Sequence, residues 1–416
     1  MASDSADITV VGAGAAGLMA SIWAARTRPG ARVAALDGAR ALGAKILVAG
    51  GGRCNVTHDE VDERAFAGDS PNAIRKVLRR FPVERTIEFF RALGVELKRE
   101  ETGKLFPTTD SARTVLDALL RAARDAGVEL RHPWRVGAIT RTEDGFVLAR
   151  ANEPGDAARW RSRRVILATG GLSLPKTGSD GGGYALARSL GHTVTATHPA
   201  LVPLTLPRDH PLCALSGVSA EATVELRSAT GRRLVAFDGP VLCAHFGLSG
   251  PAILDISRYW LTRADDGRAD AALVVNWLPS RTPAALDTDL AGLKNLTPMR
   301  FLSERMPERL ARVVCVVAGV DPTTPGHQLT REGRRALVDA ATQMRVPVTG
   351  SRGYLFAEVT AGGVPLSEVR LETMESRVCA GLHLCGEVCN VDGRIGGYNF
   401  QWAWSSGFVA GSAAGA

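Results

Sequence analysis

The residues best suited to chemistry stand near the amino terminus. Gly12-Ala13-Gly14-Ala15-Ala16-Gly17 spells G-x-G-x-x-G, directly after the apolar run Ile8 to Val11 and directly before the helical stretch Leu18 to Arg26. Each glycine has a task in such a strand–turn–helix. Gly12 makes the tight turn, Gly14 lets the backbone approach a pyrophosphate, and Gly17 allows helix and strand to touch. The helix start then points unbonded N–H groups at the phosphates. Gly12, Gly14, Ala15, Ala16 and Gly17 are therefore candidate phosphate contacts. Asp37 follows a second apolar run, Val33 to Leu36, where a carboxylate binds a ribose hydroxyl. An acid at that place argues against a 2′-phosphate, so NADP is not expected there.

Three further glycine-bearing segments decide between NAD and FAD. Gly50-Gly51-Gly52-Arg53-Cys54-Asn55 brings successive backbone N–H groups close to a ligand. Arg53 can pair with a phosphate or an anionic flavin ring, and Lys45 adds a positive charge nearby. Thr169-Gly170-Gly171 closes the apolar run Val165 to Ala168. Gly386-Glu387 offers a carboxylate to ribityl hydroxyls. Four such strand ends exceed what NAD needs and suit FAD, a long cofactor laid across a domain. No second G-x-G-x-x-G is present, so NAD(P)H is expected only as a transient co-substrate.

Elements that could position these residues follow from periodicity. Ile74, Val77, Leu78 and Phe81 have helical spacing, which Pro82 interrupts and Ile87, Phe90 and Leu93 resume. A helix from Ser111 runs towards Gly127, and Val128 to Leu130 begin another strand. From about residue 195 short alternating runs such as Thr223 to Leu226 suggest an antiparallel or barrel-like region. Helical stretches are expected at about 298–316 and 330–344. Strand–helix alternation returns near Gly381 to Val388. The fold class is α/β, with a Rossmann-like domain interrupted by a long insertion.

Composition limits the function classes. Hydrophobic residues are 45% and charged residues 22% of 416, which excludes bulk disorder. The net charge is +7, yet the basic residues are scattered, so nucleic acid is not the favoured partner. Seven cysteines without a repeating framework fit a reduced, cytoplasmic compartment. The longest uncharged run, Ile8 to Ala25, contains the glycine motif and follows acidic residues, so it reads as neither a signal peptide nor a membrane anchor.

Over nearly its whole length the chain resembles the BaiN-like, aminoacetone-oxidase-like bacterial flavoproteins. GGGRCNVT (Gly50 to Thr57), LATGGLSLPKTG (Leu167 to Gly178), HFGLSGP (His245 to Pro251), VTAGGV (Val359 to Val364), TMES (Thr373 to Ser376) and the segment Gly386 to Gly407 carry the resemblance. It implies an FAD domain of the two-dinucleotide-domain flavoprotein type, residues 1–195 and 350–416. It also implies an inserted β-barrel-plus-helical substrate or cap module, residues 196–349, with the flavin ring between the two. Gly52, Arg53, Cys54 and Asn55 would line the flavin. Val136 would contact adenine through its backbone, and Gly386 and Glu387 would hold the ribitol. Gly396, Gly397, Tyr398, Asn399 and Phe400 would reach the pyrimidine end, with Asp392 in the same segment. A helix beginning near Asn399 would stabilise negative charge on reduced flavin. Asp37 replaces the usual Glu, Ala49 a common Ser, and Cys389-Asn390 a usual Leu-Asp pair.

The remaining candidates leave alternatives open. Cys54 has no cysteine close by and reads as pocket lining rather than a redox thiol. Cys379, His383, Cys385 and Cys389 lack paired metal-ligand spacing, so no metal is expected. His245 either serves the substrate or holds a turn, Lys176 either contacts the substrate or an anionic group or shapes its loop, and Tyr398 either donates a proton or packs inside. The expected activity is hydride transfer between NAD(P)H, flavin and a small unsaturated or carbonyl substrate, and the resemblance implies, from one branch of the family, NADH-linked reduction of a conjugated C=C bond as the favoured form. The alternatives are an FAD-dependent tRNA-modifying or RNA-binding protein, a flavin oxidase of amines or ketones, and a passive electron carrier. The catalytic acid–base group and oligomeric state are not assigned.

Overall fold

The computed structural model describes residues 4–152 and 159–416. The chain divides into two compact units, Met1–His198 with Glu358–Ala416, and Pro199–Ala357. Both ends of the insertion thus lie further along the chain than residues 196 and 349.

The first unit is built on parallel strands. β1 (Ser5–Val11) pairs with β2 (Val33–Leu36) on one side and with Arg159–Leu167 on the other. Glu129–Arg131 extends the sheet beyond β2, and Leu382–Leu384 extends it beyond Arg159–Leu167. β2, covered on both faces, is a continuous apolar run with all four residues buried, and Arg159–Leu167 is apolar and buried without a break only at its last three residues. The register sets Val11 beside Leu36 and Leu167, and Leu167 beside Leu384. Four strand ends therefore form one row, and the loops that follow them issue from one edge. Chain order reverses on either side of β1, which is where an open α/β sheet takes its ligand.

α1 (Ala15–Thr27) follows the first loop, and the terminal helix Tyr398–Gly415 lies against it. Gly407, Gly411 and Gly415 face the carbonyls of Ala16, Ala20 and Ala24. A Cβ on Gly411 would lie 2.2 Å from the Ala20 carbonyl oxygen, so only glycine permits this approach. Every fourth residue is small on both helices, and the backbones meet like interlocked combs.

Several expectations need adjustment. The expected break at Pro82 is present, but helix Pro71–Leu78 ends before Phe81, and Val83–Ala92 follows the proline. The stretch 298–316 is two helices, Pro298–Ser303 and Glu308–Val317, because Pro307 cannot continue a helix interior. Arg331–Thr342 stops short of 344 because Met344–Val346 is a strand. The hairpin Val136–Thr142 with Gly145–Arg150, which pairs with Arg159–Leu167, had no clear sequence signal.

In the second unit seven strands run in the order Met344–Val346, Ala272–Asn276, Ser219–Arg227, Arg233–Ala244, Gly247–Ser249, Leu204–Thr205, Gly350–Ser351. The two edge strands are consecutive in the chain. Their short link spans at most about 14 Å, whereas the edges of a flat seven-stranded sheet would stand about 29 Å apart. The sheet must curl until its edges approach, which gives a barrel-like form without a ladder between them. Thr282, Thr297 and Thr330 cap three of the accompanying helices through their hydroxyls.

Replacing Gly411 by valine should lower stability by about 1–3 kcal/mol through overpacking, read as a fall of the thermal midpoint. An unchanged midpoint would show that the helices tolerate separation.

Candidate functional site

The row of strand ends carries the glycine loops. A Cβ on Gly12 would meet the Ala168 carbonyl oxygen at 2.5 Å, and one on Gly17 would meet the Gly12 carbonyl at 1.8 Å. Loop, helix and neighbouring strand end are thus in backbone contact. In front of Gly14, by contrast, a Cβ would find nothing within 4 Å. Gly14 caps α1 without a side-chain hydrogen bond, and the first turn holds no acid. The N–H groups of that turn have no acceptors within the helix.

Asp37 stands at the end of β2. Its Oδ2 accepts from the Ala13 amide at 2.7 Å and its Oδ1 from the Ala39 amide at 2.8 Å. The carboxylate is fixed against the glycine loop, with lone pairs left for a ribose hydroxyl. The Trp134 amide donates to the Asp37 carbonyl at 2.6 Å, which brings the strand starting at Val136 to the same place.

The remaining loops meet in a polar knot. Lys45 Nζ donates to Glu387 Oε2 at 2.6 Å and to Ser173 Oγ at 2.7 Å. Glu387 Oε1 accepts from Ser173 Oγ and from the Thr360 amide, both at 2.9 Å. Thr360 Oγ1 in turn accepts from the Leu172 and Ser173 amides. Gly171 has to be glycine, because a Cβ there would meet Thr360 Oγ1 at 2.4 Å and Glu387 Oε1 at 2.6 Å. Gly170 lies against Ser179 in the same way, and Gly386 against Ala16. Glu387 therefore already accepts from three protein donors before any ribityl hydroxyl approaches.

Gly50, Gly51 and Gly52 all have positive φ and leave open space beside Gly51. Arg53 pairs with Glu100 (2.6 Å) and lies 4.0 Å over the Phe106 ring. Cys54 is fully buried, and burial pushes its thiol up to about 12. Asn55 is buried, and its Oδ1 has no partner among the described residues; Thr169 Oγ1 is likewise buried and unpartnered.

Gly396 and Gly397 precede the terminal helix with positive φ, and Gly397 packs on the Thr57 backbone. The Asn399 amide side chain clamps Gly393 by accepting at 2.8 Å and donating at 2.9 Å. Tyr398 stacks on His58 with centroids 4.9 Å apart, and Phe400 stacks on Trp404. Asp392 is buried in a strand paired with Phe66–Gly68. Lys176 is exposed in a turn, and His245 is exposed in the second unit.

Sequence reasoning missed Gln401. Its Oε1 accepts from Thr57 (2.7 Å) and Thr86 (2.9 Å), and its Nε2 donates to the Phe81 carbonyl. An amide among the aromatic residues of a helix without charged side chains was the available signal. Ser406 Oγ accepts from the Gly386 amide, and Trp402 Nε1 donates to the Gly386 carbonyl.

These residues fit FAD. The open ground before Gly14 and the uncapped first turn suit a pyrophosphate, and Asp37 suits a ribose. The two orphaned buried oxygens in flanking loops need partners that a polar ligand supplies. Among the described residues, no helix is long and apolar enough to cross a membrane.

A family model described as HI0933-like protein Rossmann domain matches residues 6–413. A 3-dehydro-bile acid delta(4,6)-reductase of Clostridium scindens is 36% identical, covering 98% of each chain. A ribosomal RNA dihydrouridine synthase of Escherichia coli is 34% identical, covering 97% of this chain and 96% of its own. Among solved structures, Escherichia coli quinol fumarate reductase FrdA aligns over 99% of this chain and 70% of its own, at 17% identity and TM-score 0.51, a likeness of fold alone.

Removing one partner of the Lys45–Glu387 pair, by Glu387→Gln or Lys45→Met, should cost about 1–3 kcal/mol and weaken FAD retention. The double variant should cost less than the sum; strict additivity in thermal unfolding would deny the coupling. Iodoacetamide at mildly alkaline pH should leave Cys54 unmodified until the protein unfolds, since so little thiolate forms; rapid labelling of native protein, located by peptide mass, would contradict that environment.

Proposed function

The chain belongs to the HI0933-like Rossmann-domain family and is an FAD-dependent oxidoreductase, and on that premise we propose that it reduces a carbon–carbon double bond conjugated to a carbonyl, with NAD(P)H as electron donor. The observation that carries this reading is the 36% identity, over 98% of each chain, to a 3-dehydro-bile acid delta(4,6)-reductase. FAD, when bound, supplies hydride chemistry at its N5. The protein's contribution is to hold and orient. Backbone N–H groups of the first loop would take the pyrophosphate and Asp37 the ribose, while the knot around Glu387 would fix the loops that receive the ribityl chain. Asn55 and Thr169 carry buried, unpartnered oxygens that polar groups of the cofactor would satisfy.

The cysteines support direct hydride transfer over a thiol relay. All seven are free and buried, and burial raises the thiols of Cys54 and Cys243 to about 12. A dithiol relay needs accessible thiolates of low pKa.

A second reading has support of its own. The relatives from Escherichia coli and Haemophilus influenzae carry the name ribosomal RNA dihydrouridine synthase, and this chain bears a net charge of +7. Uridine also presents a double bond conjugated to a carbonyl, so the two readings share their chemistry and differ in the carrier of the bond.

Anaerobic NADH or NADPH should bleach the flavin absorbance, and a steroid dienone should restore it with one equivalent of product two mass units heavier. Persistence of the oxidised spectrum with both nucleotides would reject the NAD(P)H-linked reductase. Recovery with ribosomal RNA but not with the dienone would select the second reading.

A further inference from the structure

Arg135 stands in the first unit, on the segment that leads from Glu129–Arg131 to the strand starting at Val136. Its guanidinium grips Asp180 through two nitrogens, Nη1 to Oδ2 at 2.7 Å and Nη2 to Oδ1 at 2.9 Å. Asp180 Oδ1 also accepts from the Gly182 amide at 3.1 Å. The pair joins two places that the sheet keeps apart. The Trp134 amide donates to the Asp37 carbonyl, which ties Arg135 to the end of β2. The Gly181 amide donates to the Gly171 carbonyl at 2.9 Å, which ties Asp180 to the loop that follows Arg159–Leu167. β1 lies between those two strands, which stand about 10 Å apart. The ion pair therefore passes the end of β1, where the first glycine loop begins.

Two glycines make room for this side chain. A Cβ on Gly38 would lie 3.0 Å from Arg135 Cβ, and one on Gly182 would lie 2.8 Å from Arg135 Nη2. Neither glycine has a positive φ, so space rather than backbone conformation accounts for them. Gly38 directly follows Asp37, so the arginine stem runs beside the carboxylate that suits a ribose. Hydrogen bonding to Asp180 raises the Arg135 pKa above the usual arginine range, and the charge of Asp37 adds to that rise. Asp180 takes one edge of the guanidinium and leaves its faces, and 47% of the side chain is exposed. Such faces stack on aromatic rings. An adenine joined to a ribose at Asp37 brings an aromatic ring to this neighbourhood.

We propose that Arg135, held by Asp180 between Gly38 and Gly182, is a positioning residue for the adenosine half of FAD: the guanidinium face covers the adenine, and the ion pair clasps that end of the cofactor. The assignment rests on the reading that FAD binds with a ribose at Asp37. Asp180 has two tasks in it. It fixes the plane of the guanidinium before the cofactor arrives, which lowers the ordering cost of the contact. It also balances the positive charge, so that a neutral purine rather than a further phosphate is the complementary ligand. Contact with the adenine then slows release of the whole cofactor without touching the flavin.

The test follows FAD release from holoenzyme by the rise of flavin fluorescence on dilution. Arg135→Met should release FAD about three- to tenfold faster than wild type. Asp180→Asn, which keeps an oxygen for the Gly182 amide, should act in the same direction, and the double variant should release FAD no faster than Arg135→Met alone. Higher ionic strength should speed release from wild type more than from either variant, because it screens the exposed pair. Retention of FMN, which lacks the adenosine, should be the same in wild type and variants, whatever its level. Unchanged FAD release from Arg135→Met, or equal losses of FAD and FMN, would overturn the assignment. Asp37→Ala separates this result from the placement of the cofactor. If Asp37→Ala weakens FAD and Arg135→Met does not, the ribose site stands and the clasp falls; if neither weakens FAD, both fall; if only Arg135→Met does, the clasp stands and the ribose site falls.

Discussion

The close approach of α1 to the terminal helix is the contact on which the first unit depends. Backbones meet where Gly407, Gly411 and Gly415 pass the carbonyls of Ala16, Ala20 and Ala24. That contact carries the last segment of the chain to the first loop. Gly386 arrives beside Ala16, tied to the terminal helix through Ser406 and Trp402. Two loops separated by most of the sequence then share one edge of the sheet. Side chains larger than glycine would push the helices apart and open the edge that the strand register has aligned.

Polar groups fix what the packing brings together. Lys45, Ser173, Thr360 and Glu387 come from four separate segments and satisfy one another. Such a knot costs little once its donors and acceptors are matched, and much if one is removed. Gln401 plays the same part beneath the terminal helix, joining Thr57, Thr86 and Phe81. The scaffold is thereby held together by the protein's own groups, and a cofactor meets loops already placed.

Local features were legible in the sequence, and long-range ones were not. The glycine motif, the strand before it and Asp37 follow from spacing, because turn geometry and strand periodicity are properties of neighbouring residues. Arg53 was read as a partner for a phosphate or an anionic flavin ring because it stands among glycines, and spacing gave no sign of the contacts that Glu100 and Phe106 make with it from the next hairpin. Glu387 was read as a ribityl ligand without sight of Lys45. The glycines of the terminal helix looked like weak helix formers until α1 supplied their reason. The curl of the second sheet follows from strand order and link length together, and strand order is not written in any one segment. Charged side chains in glycine-rich loops find partners across the fold, so spacing alone does not say where they point.

The flavin is proposed to be held by both ends of one chain. Gly386→Val tests that claim most directly. The substitution lies far from the glycine motif in sequence, at a residue with positive φ whose Cβ would stand 2.7 Å from the Ala16 Cβ. Titration of the refolded apoprotein with FAD should show the variant binding far more weakly than wild type while its secondary structure persists. Unchanged FAD affinity in that variant would contradict a cradle shared between the two termini.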